Sequence, residues 1–376
     1  MVRSVSTFLY FFIFCTSALL LGNIPDDSSK DINEKSKTSI EETNSLPHTL
    51  ERRAALDIGS GQIKIQVSDV DLTVNKITTV LFTDAVKVPL REDLHRSLDG
   101  RLSADMQDKL VDTVAQLMKK ASLFHPDACH AVATETLRLA KNGHELVNRI
   151  KEKTGLPVTI ISQEEEGVLG FISAISATEI DPDKVVSWDF GGGSLQITAR
   201  CGDRYSIYQG RLGKIPLKNA LLGIQGKDVN QVFSPNPISK SEANRAIQHI
   251  KENMKDIPQE IRQKLNCKDT VVLGVGINPL WGMRESASYD KARVLQELDC
   301  RLHLDDEAIV IKDSISPEWK TSSAYVVSNL ILAYGVMDAL EIQRVHNVAT
   351  PGANAVGTLL SPQYWEKNAC SITAGK

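Results

Sequence analysis

The sequence Ala-Leu-Asp-Ile-Gly-Ser-Gly at residues 55–61 has a second version, Ser-Trp-Asp-Phe-Gly-Gly-Gly-Ser, at residues 187–194. In each, an apolar run ends in an aspartate, and a glycine-rich turn leads into a run of alternating residues. This pattern predicts two β-hairpins whose turns expose backbone N–H groups beside a carboxylate, at Asp57 and Asp189. One such turn is common in hairpins that bind nothing. Two with the same order of residues indicate two facing lobes that hold phosphate between them.

The two turns supply the candidate phosphate and metal ligands. Asp57 and Asp189 are predicted to hold hydrated Mg²⁺, because this ion prefers carboxylate and water oxygens. Another glycine pair, Gly274 and Gly276, follows an apolar strand pattern and is either a further phosphate contact or a simple tight turn. The candidate phosphate-binding residues of the two turns are Gly59, Ser60, Gly61, Gly191, Gly192, Gly193 and Ser194.

The composition is that of an ordinary globular protein. The chain has 376 residues, a formal charge of −4 and a hydrophobic content of 42%. This length suffices for two α/β lobes. No block of basic residues stands out in the sequence, which argues against nucleic acid as a partner. Since the overall charge does not attract a polyanion, a phosphate substrate would need local cations, namely Mg²⁺ and a few arginine or lysine side chains.

The N-terminal residues 1–22 are typical of a signal peptide. A basic residue precedes a charge-free run, residues 7–21, that is shorter than the roughly 20 residues of a membrane helix. Cleavage at residues 16–18 or 21–22 fits the sequence, and an uncleaved membrane anchor is the alternative. We therefore expect an exported protein, periplasmic or secreted. Residues 23–53, which are mostly charged or polar, are expected to form a disordered linker.

The cysteines are widely spaced. No Cys-x-x-Cys occurs, so the sequence supports neither a metal cluster nor a redox motif. Export permits disulfides, and Cys267 with Cys300 is a candidate pair. The odd number beyond the signal peptide leaves at least one free thiol. These cysteines are Cys129, Cys201, Cys267, Cys300 and Cys370.

Strand and helix patterns alternate along the rest of the chain and predict three regions. Lobe I is expected over residues 54–176 and lobe II over residues 177–317. Residues 318–376 would contain a late helix, at about residues 322–340, that packs back on lobe I, followed by a tail. The two similar hairpins indicate a duplication at the level of the lobe.

Two further motifs carry candidate catalytic side chains. Ala-Thr-Glu-Thr-Leu-Arg at residues 133–138 follows a strand pattern, and Arg138 could give two parallel N–H bonds to phosphate oxygens. In Ser-Gln-Glu-Glu-Glu-Gly at residues 162–167, three acids open a helix, a pattern that is usually a solvated N-terminus. One of three consecutive positions must still point into the cleft. Glu166, beside a glycine, is the best candidate for a base that activates water, with Glu165 as the reserve.

In this order, Asp-Ile-Gly-Ser, Ala-Thr-Glu-Thr-Leu-Arg, Ser-Gln-Glu-Glu-Glu and Asp-Phe-Gly-Gly-Gly-Ser resemble the exopolyphosphatase/guanosine pentaphosphate phosphohydrolase (Ppx/GppA) family. That family belongs to the actin–sugar kinase–Hsp70 ATPase superfamily. The resemblance covers about residues 54–365. It implies an α/β fold of two ribonuclease H-like, actin-like ATPase lobes, with mixed sheets flanked by helices around a central cleft.

The resemblance also implies a Mg²⁺-dependent hydrolase that releases terminal phosphate from polyphosphate or a guanosine pentaphosphate-type substrate. Glu166 would be the general base, and Arg138 would bind phosphate. Asp57 and Asp189 would lie at the metal, and the glycine turns would be the phosphate loops. Homodimers are common in the family, so a homodimer is an additional expectation.

The sequence departs from the family pattern at three places. Gly61 and Gln62 replace Asn-Ser in the first turn, which removes a side-chain contact. Near the base, Val168 stands where the family usually has an arginine. In the second turn, Gln196 stands where the family has an acid, which bears on metal binding.

Two of these departures point to a related family. Residues 166–168 and 194–196 resemble the corresponding segments of nucleoside triphosphate diphosphohydrolases (apyrases), in which the glutamine helps to orient the attacking water. Gln196 is therefore a catalytic candidate, and an apyrase-like hydrolase of nucleoside tri- and diphosphates is the second hypothesis. The change from acid to Gln196 also motivates a third, a phosphate or nucleotide sensor without turnover.

Overall fold

The computed structural model describes residues 49–275, 287–348 and 352–365. The predicted signal peptide, most of the predicted linker and Gly276 lie outside these residues. Within them, no helix has the length and apolar character needed to cross a bilayer. The strands and α-helices in chain order are β1 Leu50–Ile58, β2 Gln62–Asp71, β3 Lys76–Lys87, α1 Leu90–Arg96, α2 Ala104–Ser122, β4 Ala128–Ala133, α3 Glu135–Leu139, α4 Gly143–Thr154, β5 Val158–Ile160, α5 Gln163–Ser176, β6 Val185–Phe190, β7 Leu195–Cys201, β8 Arg204–Gly210, α6 Lys214–Ile224, α7 Lys240–Asn253, α8 Gln259–Leu265, β9 Val271–Val275, β10 Ser288–Asp290, α9 Lys291–Asp299, α10 Asp306–Lys312, α11 Ser323–Ala339, β11 Arg344–Asn347 and α12 Ala353–Leu360.

The first sheet has five strands in the order β3-β2-β1-β4-β5. Strand β1 pairs antiparallel with β2 and parallel with β4, so the sheet is mixed. Its apolar residues form a core with α2 and α4, in which Leu56 and Ile65 of the sheet are buried with Val114 and Leu146 of the helices. Ser103 accepts a hydrogen bond from the Met106 N–H and caps α2, as helix N-termini require.

The second sheet has six strands in the order β10-β11-β9-β6-β7-β8 and repeats this arrangement. Strand β6 pairs antiparallel with β7 and parallel with β9, just as β1 pairs with β2 and β4. The two predicted hairpins are therefore the central strands of two similar sheets. The predicted fold class, two mixed sheets flanked by helices, is confirmed.

The late helix, α11, packs differently from the prediction. It lies mainly against α6, α7, α9 and α10. Its Leu330 and Ile331 are buried in one core with Trp188 and Phe190 of the second sheet. The predicted packing on lobe I was wrong: the helix is apolar on nearly all sides, which indicates burial in a core without specifying which one. The C-terminal helix that packs on the first sheet is α12, which contacts β1, β2 and β4.

The first strand begins earlier than predicted. Because β1 starts at Leu50, residues 50–53 belong to the sheet and not to the linker. Arg52 Nε donates to Asp69 Oδ1 at 2.7 Å, and Arg53 Nη1 donates to the carbonyl oxygen of Leu359 at 2.7 Å. These charged residues have partners far along the chain, which local composition does not reveal.

The candidate disulfide between Cys267 and Cys300 was also wrong. Both residues are free, exposed thiols, as is Cys201. Cys129, by contrast, is disulfide-bonded.

Candidate functional site

The two glycine turns have the same local construction. The Gly59 N–H donates to the Gln62 carbonyl at 3.0 Å, and the Gly191 N–H donates to the Ser194 carbonyl at 3.1 Å. A Cβ added at Gly59 would lie 3.0 Å from the Gln62 oxygen, and one at Gly191 would lie 2.8 Å from the Ser194 oxygen. Each turn is thus so tight that Gly59 and Gly191 have room for a hydrogen atom but not for a side chain.

The turns face each other closely. A Cβ added at Gly192 would lie 3.4 Å from the Cβ of Ser60. The Arg91 N–H donates to the Ser60 carbonyl at 2.9 Å, and the Ile215 N–H donates to the Gly192 carbonyl at 2.9 Å. The segment that follows each hairpin therefore binds a carbonyl of its turn and fixes the turn in place.

Asp57 and Asp189 are buried at the ends of β1 and β6, with 6% and 8% of their surface exposed. Burial raises the pKa of both carboxyls, to about 6 for Asp189, and the nearby positive charge of Lys64 opposes this rise. The charge of Asp57 contributes to the raised pKa of Asp189. Asp57 Oδ1 is buried without a hydrogen-bond partner in the described residues. The two carboxylates predicted to hold a cation therefore lie close enough to repel each other.

The three consecutive acids at the start of helix α5 have different surroundings. Ser162 accepts a bond from the Glu165 N–H at 3.1 Å, and Glu165 Oε2 accepts one from the Ser162 N–H at 2.8 Å. This capping box uses the side chain of Glu165, the reserve candidate for the base. Glu164 is exposed, whereas Glu166 is buried. The best candidate is thus the acid that points inward.

Glu166 lies between the two halves of the site. Arg138 Nη2 donates to Glu166 Oε2 at 3.2 Å, and Ser194 Oγ donates to Glu166 Oε1 at 3.5 Å. Burial, and then the charge of Asp189, raise the pKa of Glu166 to about 8, while the charge of Arg138 lowers it. This carboxyl therefore keeps its proton to a higher pH than an exposed glutamate does.

Arg138 and Gln196 are fixed by short contacts within the site. Arg138 Nη1 donates to the Ile161 carbonyl at 2.5 Å, which places its other nitrogen against Glu166. Gln196 Nε2 donates to Ser194 Oγ at 2.9 Å. Gln196 Oε1 is buried and lacks a hydrogen-bond partner among the described residues. All three predicted catalytic side chains lie in one connected network that runs through Ser194.

Gly274, the first residue of the predicted glycine pair, lies in a strand rather than in a glycine turn. Gly274 lies within β9, paired with Trp188 on one side and Asn347 on the other. Its carbonyl accepts the Val348 N–H at 2.9 Å. Gly274 is therefore a strand residue and not part of a tight turn. Gly276 lies outside the described residues.

Several residues of the site were not predicted from the sequence. Lys64 lies opposite Asp57 in the β1–β2 pairing, and Asn354 at the start of α12 is hydrogen-bonded to Asp57. Lys214 begins α6, and its N–H donates to the Gly191 carbonyl at 3.2 Å. One signal in the sequence could have identified Lys64 as a site residue. It follows Asp57 at the same interval at which Gln196 follows Asp189.

The two lysines add positive charge beside the aspartates. Both lower the pKa of Asp189. Burial, and then the charge of Lys64, lower the pKa of the partly buried Lys214 to about 7. Lys214 Nζ lies 5.1 Å from the ring centroid of Phe190. Part of the negative charge of the site is thus balanced by the protein itself.

The side chains around Asp57 and Asp189 decide whether the site fits Mg²⁺. In residues 49–275, 287–348 and 352–365, no group of three or more His, Cys, Asp or Glu side chains is arranged to hold a metal ion. Mg²⁺ often binds through only one or two carboxylates, with waters and substrate phosphates as its other ligands. Asp57 and Asp189 offer such a pair, and the unpartnered Asp57 Oδ1 is a suitable oxygen ligand. The donor set fits a hydrated Mg²⁺.

Two mixed sheets, each with a glycine turn after its first central strand, define an actin-like fold of two ribonuclease H-like lobes. Within that class, the model of the Ppx/GppA phosphatase family matches residues 69–279, more than half of the sequence. The chain belongs to this family.

Solved structures share the fold. The Ppx/GppA family member of Aquifex aeolicus has a TM-score of 0.65 and 18% identity, with 84% of this chain and 98% of that chain covered. An exopolyphosphatase from Cytophaga hutchinsonii has a TM-score of 0.64 and 16% identity, with 82% and 96% covered. At these identities the likeness establishes the fold alone.

Curated relatives match over part of their length. Exopolyphosphatase 1 of Mycobacterium tuberculosis H37Rv is 26% identical over 148 residues, which are 39% of this chain and 42% of that protein. A bifunctional 3-dehydroquinate synthase/phosphatase of Fusobacterium nucleatum is 25% identical over 276 residues, 71% of this chain and 40% of that protein. The chain thus spans about two fifths of the length of the curated relatives it matches.

Proposed function

We propose that this protein is an exported, Mg²⁺-dependent phosphoanhydride hydrolase of the exopolyphosphatase type. It would release terminal phosphate from polyphosphate or a guanosine pentaphosphate-type substrate by attack of water. The observation that carries the proposal is the buried Glu166 carboxyl, held by Arg138 and Ser194 between the two glycine turns. Membership of the Ppx/GppA phosphatase family supports the same reaction class.

Glu166 is the proposed general base. A base must accept a proton from water as the water attacks phosphorus, and a carboxyl with a pKa near neutrality suits this task. Burial raises the pKa of Glu166 to about 8, and the charges of Asp189 and Asp57 add to this rise. Neutralising those charges favours the ionised form of Glu166. Loading of the site would therefore prepare the base as well as position the substrate.

The two turns are the proposed phosphate cradle. The Gly59 and Gly191 N–H groups close their own turns, so the N–H groups of the residues that follow them in each turn are the proposed anion donors. Asp57 and Asp189 would hold the Mg²⁺. When bound, this ion would neutralise phosphate charge, which supplies much of the catalysis in phosphoryl transfer.

An apyrase-like activity is the second candidate, and Gln196 is the observation that favours it. Its Nε2 donates to Ser194 Oγ at 2.9 Å, whereas its buried Oε1 has no hydrogen-bond partner within the described ranges. An amide oxygen held in this way could accept a hydrogen bond from the attacking water, as the glutamine of apyrases does. The substrate would then be a nucleoside tri- or diphosphate.

Phosphate release is the decisive measurement. Long-chain polyphosphate, ATP and ADP should be offered in parallel with Mg²⁺, with Glu166→Gln as the inactive control and Glu164→Gln as the matched surface control. Release from polyphosphate alone supports the primary proposal, and release from ATP and ADP supports the apyrase-like alternative. A folded protein that binds phosphate but hydrolyses none of the three would instead be a sensor, and the proposal would be wrong.

A further inference from the structure

Glu135 places a carboxylate between the two glycine turns. It is the first residue of α3, directly after β4, and its side chain is 12% exposed. Ser60 Oγ of the first turn donates to Glu135 Oε2 at 3.1 Å. A Cβ added at Gly193 of the second turn would lie only 1.6 Å from the same oxygen. One carboxylate oxygen thus touches both turns at once.

The surroundings of Glu135 resemble those expected for a bound phosphate oxygen. A phosphate between the turns would accept a hydrogen bond from the Ser60 hydroxyl, which instead donates to Glu135. That hydroxyl is oriented by Thr136, whose Oγ1 donates to Ser60 Oγ at 3.0 Å. Because Gly193 has no side chain, the space beside it is free for one anionic oxygen, and Glu135 fills this space. An arriving phosphate would meet an anion with the same hydrogen-bond partner.

Arg91 provides a place for the displaced carboxylate. Its Nη2 lies 3.6 Å from Glu135 Oε1, whereas the Ser60 hydroxyl is bonded to the other carboxylate oxygen, Oε2. The Arg91 N–H donates to the Ser60 carbonyl at 2.9 Å, which holds the Arg91 backbone beside the first turn. Rotation of the Glu135 side chain toward Arg91 would vacate the position beside Gly193 and keep its charge paired.

We propose that Glu135 is a specificity-determining residue that competes with substrate phosphate for the space between the turns. The proposal rests on the proposed function, since it takes that space to be the phosphate site. A single phosphate must displace Glu135 with few other contacts, so it is held weakly and leaves readily as product. A chain of several phosphates gains further contacts and displaces Glu135 more easily.

The test is the affinity of the full chain for inorganic phosphate, measured by isothermal titration calorimetry. Glu135→Gln keeps the size of the side chain and removes its charge. We expect it to bind phosphate about tenfold more tightly than the wild type, because a like charge in direct competition is removed. Glu135→Asp keeps the charge on a shorter side chain and should give an intermediate affinity. Glu164→Gln makes the same charge change at an exposed position and should leave the affinity unchanged.

The outcomes separate this proposal from the proposed function. If the wild type binds phosphate and Glu135→Gln binds it no more tightly, competition by Glu135 is wrong while the phosphate site stands. Weaker binding in both Glu135 variants would likewise overturn it and make the carboxylate part of the ligand's binding set. Binding that is detectable in Glu135→Gln and absent in the wild type supports it. If no variant binds phosphate, both proposals fail. Thermal melting of each variant verifies that it is folded.

Discussion

Lys64 and Gln196 occupy equivalent positions, each directly opposite the aspartate that ends the first strand of its hairpin. Asp57 therefore faces a cation and Asp189 faces a neutral amide. The β1–β2 and β6–β7 hairpins thus share a backbone arrangement but carry different charges. Lys64 lowers the pKa of both aspartates, which shows that its field reaches across the site. This difference between the two hairpins affects the charge of the site between the two glycine turns.

The first prediction concerns the base. Glu166→Gln should lower turnover about 100-fold or more, since general base catalysis commonly contributes a factor of this size. The shape of the side chain is retained, so the melting temperature should not fall. Steady-state phosphate release measures the effect, with Glu164→Gln as the control at an exposed position of the same helix turn. Normal turnover in a folded Glu166→Gln protein would exclude Glu166 as the base.

The second prediction concerns stability and pH. The pKa of Glu166 is raised from 4.5 to about 8, and that of Asp189 from 3.8 to about 6. Between the unfolded and folded values, the native state binds more protons than the unfolded state. These two carboxyls therefore contribute a decrease in the free energy of unfolding as the pH rises through this window, whereas His130 and Lys214, whose pKa values burial lowers to about 4 and about 7, contribute with the opposite sign. Between pH 5 and pH 8 we expect the wild type to lose on the order of a few kcal/mol more than Glu166→Gln in the absence of divalent metal.

Urea unfolding at a series of pH values measures this dependence. Glu166→Gln removes the carboxyl whose pKa differs more between the folded and unfolded states. The free energy of unfolding of this variant should therefore change less with pH, and at pH 8 it should exceed that of the wild type. Added Mg²⁺ should also flatten the wild-type curve, because a cation at the aspartates favours the ionised carboxyls. Parallel curves for the wild type and Glu166→Gln would contradict the raised pKa of Glu166.

The sequence was sufficient to predict the two hairpins, because both the apolar periodicity and the glycine turns are local signals. Asp57 and Asp189 lie at strand ends as expected, and Glu166 is the buried acid of its helix. The role of Glu166 as the base stays a prediction. The capping box of Ser162 and Glu165 could have been used to separate the acids, since it depends only on local spacing.

Other parts of the site could not be predicted because they depend on contacts between distant segments. In the sequence, Lys64 and Lys214 look like ordinary surface residues. Only the folded sheets place their charges near Asp189. Glu135 becomes significant only where the first turn meets Gly193. The packing of α11 was predicted wrongly for a similar reason. The apolar pattern of a helix does not specify which of two cores buries it.

The third prediction concerns the support of the second turn. A Cβ at Gly213 would lie 2.4 Å from the carbonyl carbon of Gly193 and 2.7 Å from the Gly192 oxygen. Gly213→Ala must therefore move the backbone of the turn, at a cost of about 1–3 kcal/mol. We expect at least about a tenfold loss of turnover, because small displacements of a catalytic site have large effects on rate.

Gly223, within the helix α6 that Gly213 precedes, is the matched control. A Cβ there would meet nothing within 4 Å. Gly223→Ala should therefore leave activity unchanged and be neutral or stabilising by about 0.5–1 kcal/mol, the usual difference between alanine and glycine in a helix. Chemical denaturation and phosphate release measured on both variants test the prediction. Equal effects of the two substitutions would show that the fit of Gly213 against the turn is unimportant.

The fourth prediction concerns the metal and returns to Gln196. Gln196→Glu would place another carboxylate opposite the buried Asp189. Without divalent metal, the added charge should lower the melting temperature, since like charges in a buried site repel each other. With Mg²⁺ the same carboxylate should increase affinity for the cation, so the variant should gain more in melting temperature than the wild type over one Mg²⁺ titration. In the wild type, excess chelator should abolish phosphate release and restore the unliganded melting temperature. Undiminished hydrolysis in excess chelator, or a melting temperature that Mg²⁺ does not change in either protein, would rule out the assigned role of Asp57 and Asp189.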